Sequence, residues 1–267
     1  MKKKVGFGIL MFAELLFIIG VFFLRRQIGA YLWSASVFII APIAAVAFLV
    51  QLIILSVRIL KKKRIHWNVA YIILTFIMAY PVTILMGVSV LTYPTSKGEK
   101  DTISVSNPVK DSVLLGGKDY KTHAVWPSEC YAYDILKEPY DTDSDDLFDY
   151  GIYLADVYCP VNGTVIDCKD NEEDILPNTE KFKSSLGNYI FIEVEETGTY
   201  LILAHLEKDS VLVDVGKHVT KGTKIAKVGN SGTTSEPHLH MQHQRNNPME
   251  VKISVCAEGL PMKIDAK

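Results

Sequence analysis

Three apolar runs crowded into the first 91 residues, at 5–24, 31–59 and 67–91, constrain this chain more than any other feature. Crossing the roughly 30 Å hydrocarbon core of a bilayer takes about 20 apolar residues in a helix, and each run reaches that length. Buried helices of a soluble domain do not account for three such runs so close together. Residues 1–91 therefore read as a membrane anchor of three transmembrane helices. A cleaved leader fits the first run poorly, because no clear small-residue cleavage site follows it and Arg25 and Arg26 lead into further spans. Lys2–Lys4 and Lys61–Arg64 fall on one side of the bilayer, Arg25 and Arg26 on the other. The positive-inside rule then assigns the N-terminus to the cytoplasm, and three crossings carry everything after residue 91 to the outside. Trp33, Trp67 and Tyr93 sit near span ends, where amphipathic rings favour the interface. Glu14 lies mid-span, and Pro42 and Pro81 are expected to kink their helices.

Charge divides along the same line. Ten of the 28 basic residues but only one of the 30 acidic ones precede residue 92, which leaves 18 basic and 29 acidic residues and a net charge of −11 for the remainder. A nucleic-acid partner needs basic patches, so that class is excluded. The four cysteines, Cys130, Cys159, Cys168 and Cys256, are too few for a disulfide framework in a domain of this size and are expected as thiols.

Residues 92–112 carry Pro94, Gly98 and Pro108 without a long apolar period and read as a polar linker. From 113 to 267 the pattern is of short β runs separated by turn residues, with no amphipathic helix of any length among them. Runs 157–161 and 164–168 bracket Asn162-Gly163, a strong hairpin signal. Runs 188–194 and 199–206 bracket Thr197-Gly198 in the same manner, and 211–215, 218–219 and 224–228 follow. This is an antiparallel all-β domain. The acidic stretch 138–149 includes Asp141-x-Asp143-x-Asp145, the beginning of a calcium loop. Its sixth position is Asp146 instead of glycine and its twelfth is Ile152 instead of glutamate, so a solvated insertion is the better reading.

Chemistry concentrates at Pro237-His238-Leu239-His240. On a strand, alternate side chains share a face, so His238 and His240 can converge on one small centre while Leu239 enters the core. His243 has the opposite parity, His66 lies in the 61–66 loop and His218 in a polar turn. His123 and His205 remain. His205 ends a run apolar on both faces, which draws its ring inward. A catalytic zinc takes three protein ligands and leaves a position open for water, and further imidazoles can move protons beside it.

The ordered motifs Gly187-Asn188-Tyr189-Ile190, Ala204-His205-Leu206, Gly229-Asn230-Ser231-Gly232 and Pro237-His238-Leu239-His240 resemble those of lysostaphin/LytM-type zinc metallopeptidases. The likeness reaches upstream through Tyr133-Asp134-Ile135 and Cys159-Pro160-Val161-Asn162-Gly163, covering most of 119–245. It implies a duplicated-hybrid-motif β fold over 113–267 and a membrane-tethered zinc endopeptidase cutting peptide bonds in cell-wall peptidoglycan. It further implies His240 and Asp134 as zinc ligands and His205 and His238 as catalytic imidazoles. The family's His-x-x-x-Asp places Cys130 where its first ligand stands. His123, with a longer loop before Asp134, is favoured as the third ligand, and Cys130 is the alternative. Asn188 and Tyr133 are candidates for the cleft, each with a structural reading beside it. The altered first motif keeps a second function open, a catalytically inactive wall-binding or regulatory module. A lipoyl-type or phosphocarrier domain, suggested by the Val-Gly rhythm of 213–229, lacks a suitable lysine hairpin.

Overall fold

The computed structural model describes residues 2–95, 101–116 and 120–265. The chain divides into two compact units, Met1–Ser96 with Val125–Pro127, and Lys97–Ala124 with Ser128–Lys267. Each is taken by itself.

In the first unit, α1 (Lys2–Phe23) is followed by α2 (Arg26–Ala35), a π-helical turn (Ser36–Ile40) and α3 (Ala41–Leu60). The last three are continuous, so the second apolar run forms one 35-residue helix. Pro42 lies inside this continuous helix, directly after the wider π turn, a local widening of the kind that accommodates its missing N–H. Among the described residues two helices, Val5–Phe23 and Arg26–Leu60, are long and apolar enough to span a bilayer, not the three expected. The third run is broken. Its helix α4 (His66–Ala79) has 14 residues, about 21 Å at ~1.5 Å per residue, and stops ahead of Pro81, which cannot donate to the helical ladder. A four-residue helix α5 (Val82–Leu85) follows, and Gly87 leaves the helix at φ 69°. Asn68 of α4 donates to Gln51 of α3 at 3.2 Å, a polar tie between two otherwise apolar helices.

The second unit is all-β apart from single turns. Its strands are β1 (Ile103–Val105), β2 (Val113–Gly116), β3 (Tyr133–Leu136), β4 (Asp156–Tyr158), β5 (Gly163–Lys169), β6 (Asn188–Val194), β7 (Tyr200–Leu206), β8 (His218–Val219), β9 (Lys224–Lys227), β10 (Leu239–Gln244) and β11 (Met262–Ile264). Seven form one antiparallel sheet in the order β2-β3-β10-β7-β6-β5-β8. Alternation along the strands sorts its two faces. Ile135, Leu239, Met241, Leu203, Ile190 and Ile192 are fully buried in the main core, which β4 and β9, paired with each other, and β1 and β11 also line. The opposite face carries Asp134, His240, Ala204 and Tyr189 in register across four neighbouring strands.

Two expectations are corrected. The run 157–161 does not form a hairpin with 164–168. Pro160 has no N–H for the ladder, β4 pairs with β9, and β5 pairs with β6 and β8. The presumed linker contains β1, a three-residue strand pairing in parallel with β11, with Ile103 and Val105 buried on one side. Alternation over three residues is too short to stand out in sequence. Gly98, also expected in the linker, lies outside the described residues. The hairpin of β6 and β7 forms as read, with Gly198 at φ 64° in its turn. No disulfide joins the four cysteines; Cys159 Sγ instead donates to Val161 O.

Candidate metal centre

Strand pairing sets the centre. His240 on β10 lies directly opposite Asp134 on β3, so both side chains rise from one face. His240 Nδ1 is 3.0 Å from Asp134 Oδ1. The single helical turn Lys121–Ala124 brings in His123, whose Nε2 lies 2.8 Å from Asp134 Oδ2. That nitrogen is buried, yet it is out of hydrogen-bonding alignment and has no hydrogen-bond partner. The ligand atoms of His123, Asp134 and His240 all fall within 4.8 Å of one another. Two imidazole nitrogens and a carboxylate oxygen, one nitrogen orphaned and aimed at the common point, fit a tetrahedral cation with one position left over. Among the described residues this is the one group of its kind; Cys130 and the acidic stretch 138–149 are not in it.

Outer contacts orient these groups. Glu129 Oε2 is 3.0 Å from His123 Nδ1, a carboxylate–imidazole pairing that directs Nε2 to the centre. The Tyr120 hydroxyl donates to Asp134 Oδ2 at 3.0 Å. Burial alone lowers the pKa of His123, but the Asp134 and Glu129 carboxylates push it up to about 9. Burial raises Asp134, and the imidazoles of His238, His123 and His240 more than offset this, holding its carboxyl far below the usual range.

His205 and His238 complete a chain of four rings. Centroids of His123 and His240 are 5.0 Å apart, those of His240 and His205 6.0 Å, and those of His205 and His238 4.7 Å. His205 reaches the site through a defect in its strand. Between the pairs Asn188–Leu206 and Tyr189–Ala204 the register slips by one, leaving His205 as an unpaired bulge residue at φ 62°. A non-glycine residue in the left-handed region is strained, and here the strain turns the ring inward. Its Nδ1 donates to Ser231 O at 2.8 Å. The Ser231 hydroxyl accepts from Asn188 N and donates to Leu206 O. His238 Nδ1 donates to Glu236 O at 2.8 Å. A carbonyl can only accept, so both rings keep a proton on Nδ1, which leaves Nε2 as the nitrogen available to the centre. Full burial, then the imidazoles of His238 and His240, press the pKa of His205 well down and keep it neutral.

The two cleft candidates lie elsewhere. Asn188 is fully buried and saturated by the backbone of Glu172 and Leu206, which makes it a brace for the loop after β5. Tyr133 packs against the main core. Tyr189, on the same face as His240, stacks on Phe191 with centroids 4.1 Å apart and donates to Asp167 at 2.7 Å. Sequence reasoning gave no role to Tyr120, Glu129, Ser231 or Gln242. Ser231 carried a signal in the Gly229-Asn230-Ser231-Gly232 motif and Gln242 in its shared parity with His240.

Residues 151–251 match the model of peptidase family M23. That span includes His205, His238 and His240 and begins after His123 and Asp134. No curated protein sequence matches the chain. Similar solved structures include one from Pseudomonas aeruginosa provisionally described as a peptidase M23, 18% identical, covering 57% of this chain and 49% of that one with a TM-score of 0.35. Lysostaphin in solution is 20% identical over 44% of this chain and 37% of that one, with a TM-score of 0.30. A zinc-containing peptidase from Vibrio cholerae is 23% identical over 54% and 34%, with a TM-score of 0.30. The chain thus spans between about a third and a half of the length of these proteins. Over residues 151–251 the chain is therefore similar to peptidase family M23.

Proposed function

We propose that this chain is a membrane-tethered zinc metalloendopeptidase that hydrolyses peptide bonds in cell-wall peptidoglycan. The gathering of His123, Asp134 and His240 beside the rings of His205 and His238 is the observation that carries this reading. His123, Asp134 and His240 would hold the zinc. When bound, zinc supplies Lewis acidity, drawing electron density from a scissile carbonyl and acidifying an attacking water.

The chain's own residues do the rest. His205 and His238 tie Nδ1 to backbone carbonyls, which leaves Nε2 as the nitrogen that would take a proton as water adds to the carbonyl and return it to the departing amine. The membrane helices would keep the domain near its polymer and raise its effective concentration there without added contacts.

The reading places the β domain outside the cell. That placement needs the segment His66–Leu85 to complete a third passage even though its longer helix has 14 residues. Purified peptidoglycan incubated with the full chain in detergent should release new amino termini, and a zinc chelator or His240→Ala should abolish the release. Binding to the polymer without any release would identify an inactive wall-binding module instead.

A further inference from the structure

Beyond His240 the same strand carries a second polar feature. Gln242 and Gln244 share the face of His240 on β10, and both are more than nine-tenths buried, at 6% and 3% exposure. Buried amides need partners, and these form one directional line. Gln244 Nε2 donates to the backbone carbonyl of Asn246 at 2.6 Å. Gln242 Nε2 donates to Gln244 Oε1 at 2.7 Å. Gln242 Oε1 lies 3.3 Å from His240 Nε2.

The direction of the line is set at its far end. A backbone carbonyl only accepts, so Gln244 must present its nitrogen to Asn246 and its oxygen to Gln242. Gln242 must then present its nitrogen to Gln244 and its oxygen to His240. An amide oxygen offers nothing but lone pairs, so His240 Nε2 must carry a proton. The opposite ring nitrogen, Nδ1, is then the one a cation can take; it faces Asp134 Oδ1 at 3.0 Å, and a bound cation would replace that hydrogen bond.

We infer that Gln242 and Gln244 are positioning residues that hold His240 in its metal-binding tautomer, relaying the polarity of the Asn246 carbonyl along the strand. Neither touches the centre itself. Turning the Gln242 amide over would aim an N–H at His240 Nε2, move the ring proton to Nδ1 and remove that lone pair from the metal. The inference rests on the zinc reading above and adds the device that selects the coordinating nitrogen.

The test is zinc affinity of the full chain in detergent, measured by competition with a chromogenic chelator, alongside the melting temperature of the metal-free protein. Gln242→Met keeps the length of the side chain but removes the amide acceptor, and should weaken zinc binding by about 10–100-fold. Gln244→Met frees the Gln242 amide to turn and should weaken it by a similar factor, while Gln244→Glu, which still offers that amide an acceptor, should stay within about threefold of wild type. The double variant Gln242→Met/Gln244→Met should bind no more weakly than Gln242→Met alone, because both changes act through one contact. A purely structural role predicts a different pattern, with affinity following melting temperature and the buried charge of Gln244→Glu the most harmful change. That pattern, or wild-type affinity in Gln242→Met, would overturn the relay while leaving the zinc site in place. Failure of the wild-type chain to bind zinc would overturn both.

Discussion

His243 provides the most quantitative handle on this fold. It is 1% exposed on the core side of β10, with Nδ1 donating to Pro261 O at 3.2 Å and Nε2 accepting from Thr199 Oγ1 at 2.7 Å. Both bonds suit the neutral ring. Burial presses its pKa down to about 4 from an ordinary 6.5, the Pro261 carbonyl only partly opposing it. In the unfolded chain the ring protonates near 6.5. Between those values the unfolded state therefore holds more protons than the folded one, and stability falls as pH falls. The full separation is worth about 3 kcal/mol, of which about 2 kcal/mol is lost by pH 5, a large share of the roughly 5–15 kcal/mol typical of a domain. Other groups titrate in the same range, so the measurement is a comparison. His243→Gln retains a donor for Pro261 and an acceptor for Thr199 but cannot titrate. Hydrogen exchange of β7 and β10 in the metal-free full chain, corrected for intrinsic rates, should lose about 30-fold more protection between pH 7.5 and pH 5 in wild type than in the variant. Parallel losses within threefold would refute the argument that this imidazole is held neutral by burial.

Three further outcomes are expected. Gly187→Ala would place a methyl 2.3 Å from the Ser231 carbonyl oxygen at a residue with φ 63°, displacing the acceptor of His205; a melting temperature lower by the equivalent of roughly 2–4 kcal/mol should accompany lost hydrolysis. His123→Ala should lose zinc measured by elemental analysis, whereas Cys130→Ser should retain it, because the buried thiol is pushed far up in pKa by its apolar surroundings. A reporter fused after residue 93 should give an extracytoplasmic signal, and a cytoplasmic one would mean that segment 66–85 does not cross.

Much of the site could be read from residue order because strand parity is a local property. His238 and His240 share a face for the same reason that Leu239 does not, and His243 is excluded by the same count. Parity does not reveal which strands become neighbours, so the pairing of Asp134 with His240 came from a resemblance alone. The bulge at His205 is a one-residue slip against β6, which no pattern within β7 announces. His123 arrives on a single helical turn with its orienting Glu129 six residues away, a spacing without periodic meaning. The apolar N-terminal segment failed in the opposite sense. Its apolar composition was plain, but hydropathy is blind to the break at Pro81 that shortens the third helix.

The parallel pairing of β1 with β11 has a consequence for synthesis. Ile103 and Met262 are register partners, so 159 residues must leave the ribosome between one strand and the other. At about 5–20 residues per second that interval is on the order of 10–30 s. Throughout it, β1 lacks the strand that covers Ile103 and Val105 in the finished fold. Shortening the C-terminal strand would leave that edge of β1 uncovered for good, and is expected to be felt as aggregation during expression.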